Sequence, residues 1–278
     1  MASSSYTQPS TASPLPQLRR LKLLWLVAGL IVAAAYALSA RTTEFNLWTI
    51  IRDSDLFFQL IREMVPATKE RWVHLLTNYL PRLRGPFLQT AQMAILGTVT
   101  GAVLSIPLIV LSSRNISPHP AVYTVAKGLM NLLRTIPDLL YAAIFVAAFG
   151  VGPISGILAL AVFSTAVLAK LTSESVEAVD PGPLEALRAA GGTNLQILRH
   201  AVVPQVAPLF WSHCLYVFEV NIRASTVLGL VGAGGIGQQL QLMLSLFQYE
   251  NAFVIIVVTF LLVAVIDGVS NRIRERLV

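Results

Sequence analysis

Five charged side chains, Arg134, Asp138, Glu219, Arg223 and Asp267, sit inside or at the edge of stretches that are otherwise apolar. A central Arg or Asp costs roughly 2.5–3.5 kcal/mol to insert into a bilayer, so each needs a partner or a task. Glu219 and Arg223 are four residues apart, and Arg134 and Asp138 share that spacing around Pro137. On a helix each pair can neutralise itself. The other available chemistry is recognition of a small anion, which the arginines would attract and the acids would keep weakly held. Asn221, Ser225 and Thr226 beside Arg223 could add neutral hydrogen bonds along such a path, or equally hold helices together. Asp267, just ahead of a basic tail, reads as a helix-end residue.

A second group of candidates is acidic. Glu174, Glu177 and Asp180 lie three apart, so a helix could present them together to a metal, as a lipid head-group transferase would require. A solvated face is the simpler account. His74, His119, His200 and His213 have no metal-ligand spacing, and no Ser, His and Asp group suggests a nucleophile, so no metal site or catalytic residue is expected. Residues 232–237 fit Gly-x-Gly-x-x-Gly, but a dinucleotide site needs a preceding strand, and these glycines read instead as a flexible outer loop. Gly97 and Gly101 read as a helix-packing notch, and Cys214 as a small buried hydrophobe. No Gly-x-x-x-x-Gly-Lys-Ser/Thr loop is present to hold the phosphates of ATP.

These residues need elements that can hold them in lipid. The chain is 55% hydrophobic and 12% charged, against about 25% charged in soluble domains. Apolar blocks long enough for spanning helices recur, which predicts an all-α, polytopic membrane protein. Six spans are expected near residues 21–40, 87–113, 121–149, 153–172, 202–231 and 250–272. Residues 1–20 read as a disordered tail rich in Ser, Thr and Pro, residues 21–86 as a first span plus an amphipathic outer segment, and residues 87–278 as the membrane core. The basic flank Arg19, Arg20 and Lys22 could open a signal peptide, but the apolar run after it is long and lacks a convincing cleavage site.

With the N-terminus in the cytoplasm, segments 112–127 and 170–200 and the C-terminal tail fall inside. The turns at 151–153 and 232–250 fall outside and hold no Lys or Arg, as the positive-inside rule expects. Residues 41–86 strain that rule with seven basic residues against five acidic, and their helical periodicity suggests helices lying on the membrane face. The net charge of +6 is spread beside the spans, so it speaks for topology and against nucleic acid.

Between the fourth and fifth spans lies the most informative segment. Asp180 can cap a helix that opens on Pro181, Gly191 or Gly192 can end it, and Thr193 with Gln196 has the spacing of a capping box for a second helix. A helical loop with no further task is the plain alternative. The order Glu185-Ala186-Leu187, three residues, Gly191, nine residues, then Ala201-Val202-Val203-Pro204 is similar to the coupling loop of ABC importer permeases. That family's pattern is Glu-Ala-Ala, three residues, Gly, nine residues, then Ile, any residue, Leu, Pro. Leu187, Ala201 and Val203 depart from it by exchanging one apolar residue for another. Segments 134–139, 170–177 and 215–237, with Tyr249, resemble the phosphonate importer permeases in particular.

The resemblance, which runs from about Gln89 onward, implies a type I ABC importer permease core with coupling helices at 181–200. It implies that Glu185, Ala186, Leu187, Gly191, Gly192 and Pro204 meet a cytoplasmic ATPase. It also implies a second copy of this chain, two ATPase subunits that hydrolyse ATP with Mg, an extracytoplasmic solute-binding protein, and a bacterial cytoplasmic membrane with both termini inside. The cargo implied is a phosphorus oxyanion, with methionine or an organic phosphate as the alternative. A passive channel or scaffold is the rival from another class.

Overall fold

The computed structural model describes residues 15–43 and 51–276, and among these every regular element is helical. The tail expected over residues 1–20 lies outside the described residues as far as residue 14. From Leu15 the chain is already helical, so the first helix starts earlier than expected.

The chain divides between Leu60 and Ile61. On the first side, α1 (Leu15–Thr42) contains an apolar run of 22 residues, Leu21–Thr42, with nothing buried. A helix with an apolar surface all round has lipid as its natural surroundings. Across the boundary runs α2 (Ser54–Met64), an amphipathic helix with no buried residue.

The second side forms the packed bundle. A short helix α3 (Lys69–His74) passes through a π turn at Leu75–Tyr79 and a 3-10 turn at Leu80–Leu83 into α4 (Arg84–Ser112). Pro81, which offers no N–H to the ladder, stands at the start of the 3-10 turn, where the regular α winding is interrupted. The result is one helical run of 44 residues, Lys69–Ser112. Residues 69–83 were expected to lie along the membrane face. They continue into α4 as one helical run, and Leu75 and Leu83 are buried among Ile236, Met243, Ala252 and Ile255.

Next come α5 (Pro120–Thr135) and α6 (Asp138–Phe149), which fall where one span was expected and meet at a bend of 84°. Pro137 disfavours the helical region for the residue before it, and Ile136 is extended at φ −86° and ψ 120°. Then follow α7 (Pro153–Glu177), α8 (Pro181–Ala189) and α9 (Asn194–Ile197). A π turn at Leu198–Val202 joins α9 to α10 (Val203–Leu228), so Asn194–Val231 is a continuous helical run of 38 residues. The chain finishes with α11 (Gly235–Ser245) and α12 (Tyr249–Arg274). Among the described residues, five helical runs are long and apolar enough to cross a membrane, or six with the bent pair counted as one.

The bundle closes on α4 and α7. A Cβ at Gly97 would collide with Leu160, and one at Gly101 with Ser164 and the Ala161 carbonyl, so the two glycines form the expected notch. At the same level Asn221 of α10, with no exposed surface, donates to Thr98 Oγ1 at 2.8 Å and to Ser164 Oγ at 2.7 Å. One amide thereby ties three helices together. In lipid, such a bond is worth about 0.6–2 kcal/mol.

Candidate functional site

The loop between α7 and α10 is assembled by its own sequence. Asp180 accepts from the Gly182 N–H at 3.0 Å, with Pro181 at the first position of α8, where an N–H has no helical partner to miss. At the other end Gly191 adopts φ +78°. The Gly192 N–H reaches the Leu187 carbonyl at 2.9 Å and the Gly191 N–H that of Arg188 at 3.0 Å, the two bonds of a Schellman cap. Thr193 and Gln196 then make both halves of a capping box for α9. Gly191 is therefore the residue that ends α8, and Gly192 the one that closes the ring.

Packing decides which side of this loop faces out. Leu184 and Ile197 are buried with Ile109, Met130, Val176 and Val202, and Leu187 packs beside them. Glu185, Ala186, Gly191 and Leu195 are exposed. Two polar ties fix the base. The Asp180 N–H donates to the Gln205 side-chain oxygen at 3.0 Å, and Glu177 takes both the Lys127 ammonium at 3.1 Å and the Arg114 N–H at 3.0 Å. Pro204 stands in the first turn of α10. The loop is a braced protrusion with an apolar underside and an exposed tip.

The intramembrane charges behave differently from one another. Glu219 and Arg223 pair as their spacing predicted, at 2.9 Å. Arg223 also reaches Asp267 at 3.3 Å, and Arg274 meets Glu219 at 2.8 Å, so four charges lace α10 to α12. Asp267 is thus a partner across helices rather than a helix-end residue. Its pairing and that of Arg274 were missed because their partners lie 44 and 55 residues away in sequence. Arg134 and Asp138 do not pair. The bend at Pro137 turns one from the other, Asp138 accepts from the Leu139 N–H, and Arg134 makes no ion pair among the described residues.

The neutral candidates turn inward. Asn221 holds Thr98 and Ser164, and Ser225 and Thr226 both donate back to the Ile222 carbonyl, so none of the three bonds outward to a pathway. The acids of the other candidate group are each engaged separately: Glu174 with Lys170, Glu177 with Lys127, and Asp180 as a helix cap. The glycine segment 232–237 is no flexible loop either. Ala233 is fully buried, the Gly235 N–H is taken by the Gln89 side-chain oxygen and the Ile236 N–H by Thr90, both at 2.8 Å. A Cβ on Gly237 would overlap the Thr226 carbonyl oxygen.

Comparison with known proteins places this arrangement. Residues 105–278 match the family described as binding-protein-dependent transport system inner membrane component. A phosphate-import permease protein of Mycolicibacterium smegmatis is 38% identical over 271 residues, which are 97% of this chain and 49% of that protein. A phosphite transport system permease protein of Stutzerimonas stutzeri is 44% identical over 190 residues, 68% of this chain and 69% of the relative. This chain therefore spans about half the length of the first relative. Among solved structures, a methionine ABC transporter in an inward-facing conformation shares the fold, with a TM-score of 0.62 at 22% identity, over 73% of this chain and 99% of that one. From the braced loop, the helical bundle and these matches together, the chain belongs to the inner-membrane permease components of binding-protein-dependent transport systems.

Proposed function

We propose that this chain is the membrane subunit of an ATP-driven importer that carries a small phosphorus oxyanion, phosphonate, phosphite or phosphate, into the cytoplasm. The observation that carries the reading is the α8–α9 protrusion, whose exposed Glu185, Ala186 and Gly191 stand on a buried base. A helix held rigidly from beneath and bare above is the shape that an ATPase groove can grip and move, a hinge-and-shear transition. The cargo is supported by the printed names of the Mycolicibacterium and Stutzerimonas relatives.

In this reading the protrusion and both termini face the cytoplasm. Two ATPase subunits hydrolyse ATP with Mg, and a solute-binding protein delivers cargo at the other face. This chain itself binds no cofactor and performs no catalysis. A second copy completes the pathway; the first relative leaves about half of its length, room for one more unit of this size, beyond the part that matches.

The test is uptake into proteoliposomes that contain this chain, the ATPase and the binding protein. The wild-type complex is expected to accumulate phosphite or a phosphonate only with ATP, and Gly191→Asp to abolish uptake while remaining inserted and monodisperse. Uptake at the wild-type rate by a stable Gly191→Asp complex would remove the coupling role. Accumulation of methionine in place of oxyanions would remove the cargo.

A further inference from the structure

At the start of α4 and along α11 lies a polar feature that the ion pairs leave unexplained. Gln89 of α4 and Gln238, Gln239 and Gln241 of α11 line one cleft of about 430 Å³, together with Gly235 and Ser245. No charged residue lines it. Gln238, Gln241 and Ser245 follow one another at i, i+3 and i+7, so a single face of α11 presents them. Gln89 and Gln239 are half-buried, while Gln238, Gln241 and Ser245 are exposed, so four uncharged amides meet at an open cleft beside the spans.

We propose that this cleft is a binding site on the solute's path, built for a hydrated oxyanion. The orientation of Gln89 is the strongest pointer. Its side-chain oxygen accepts the Gly235 N–H at 2.8 Å, a bond only an oxygen can make, so its amide nitrogen is left with two donors and no acceptor capacity. The first two N–H groups of α11, Gly235 and Ile236, are already taken by Gln89 and Thr90, and the proposed site is made of side chains. Ser245 gives its own proton to the Leu242 carbonyl at 2.9 Å and offers only lone pairs, the complement of a P–OH group. Donors at one wall and an acceptor at another suit a singly protonated oxyanion of phosphorus.

Size and place agree. At about 30 Å³ per water the cleft holds on the order of a dozen waters, so the ion enters with much of its hydration. Neutral donors hold it more weakly than arginines would, which transport needs. Gln89 stands 20 residues before Ile109 on the same helix, about 30 Å along the axis, and Ile109 packs under the α8–α9 loop. The cleft therefore lies at the end of the bundle opposite the protrusion, on the face where this solute arrives in the proposed function, on which the inference rests.

The test compares Gln89→Glu and Gln241→Glu with wild type in the full proteoliposome system, with phosphite as the probe and co-purification of the ATPase as the check on assembly. Gln89→Glu keeps an oxygen for the Gly235 N–H but points negative charge at the ion, and phosphite uptake is expected to fall about tenfold or more. Gln241→Glu caps nothing, and a severalfold fall is expected; it decides the matter if Gln89→Glu fails to assemble. Uptake within about twofold of wild type in assembled variants overturns the site while leaving the proposed function intact. A wild-type complex that moves another solute and no phosphorus oxyanion overturns both.

Discussion

At Gly191 a side chain would meet no atom within 4 Å, whereas at Gly237 it would strike the Thr226 carbonyl and the Gly229 backbone. Gly191 ends a helix and Gly237 lies in the first turn of one, and they use the residue for opposite reasons. The first needs only a left-handed backbone, φ +78°, and leaves its surroundings open. The second needs the absence of a Cβ, because main chain approaches main chain on several sides; at Gly229 the Gln238 nitrogen and the Gly234 oxygen lie within 2.6 Å of the Cβ position. The open turn can meet another molecule, and the closed one is a fixed internal joint. Accessibility, more than glycine content, separates a contact surface from a structural seam.

Three substitutions press on this contrast. Gly237→Ala gives the largest effect: overpacking against backbone that cannot yield costs about 3 kcal/mol or more, seen as loss of monodisperse protein on size exclusion. If Gly237→Ala instead melts like wild type, the closed turn is as yielding as the open one and the comparison fails. Glu219→Gln comes next. Glu219 serves Arg223 and Arg274 together, so the neutral variant leaves Arg274 without a carboxylate and costs about 1–3 kcal/mol. Thermal denaturation in detergent reads this, and an unchanged midpoint would show that the four-charge lacing contributes nothing. Gly191→Ala gives the smallest change, about 1 kcal/mol of left-handed strain with no clash, so melting should stay close to wild type.

Local features were legible in the sequence and distant ones were not. The Asp180 cap, the Thr193–Gln196 box and the Glu219–Arg223 pair are all written within four residues, and each formed. The Gly97 and Gly101 notch was readable for the same reason. Arg134 and Asp138 failed at equal spacing because Pro137 lies between them and bends the helix by 84°. The tightness of the 229–237 turn depends on Gln89, Thr90 and Thr226, and no local pattern announces those partners. The glutamine cleft had a faint signal, Gln238 and Gln241 three apart with Ser245 four further on, but its second wall comes from a helix nearly 150 residues away, as the 146-residue separation of Gln89 and Gly235 records.

The helical run from Asn194 to Val231 joins the tip of the protrusion to the closed turn without a non-helical break. Its 38 residues amount to a rod on the order of 55 Å long. That shaft has two soft points, the π turn at Leu198–Val202 and Pro208, where its backbone ladder is interrupted. A push on the loop thus reaches the Gly229 joint through a lever hinged near its base, and the bend at those two points decides how much of it arrives.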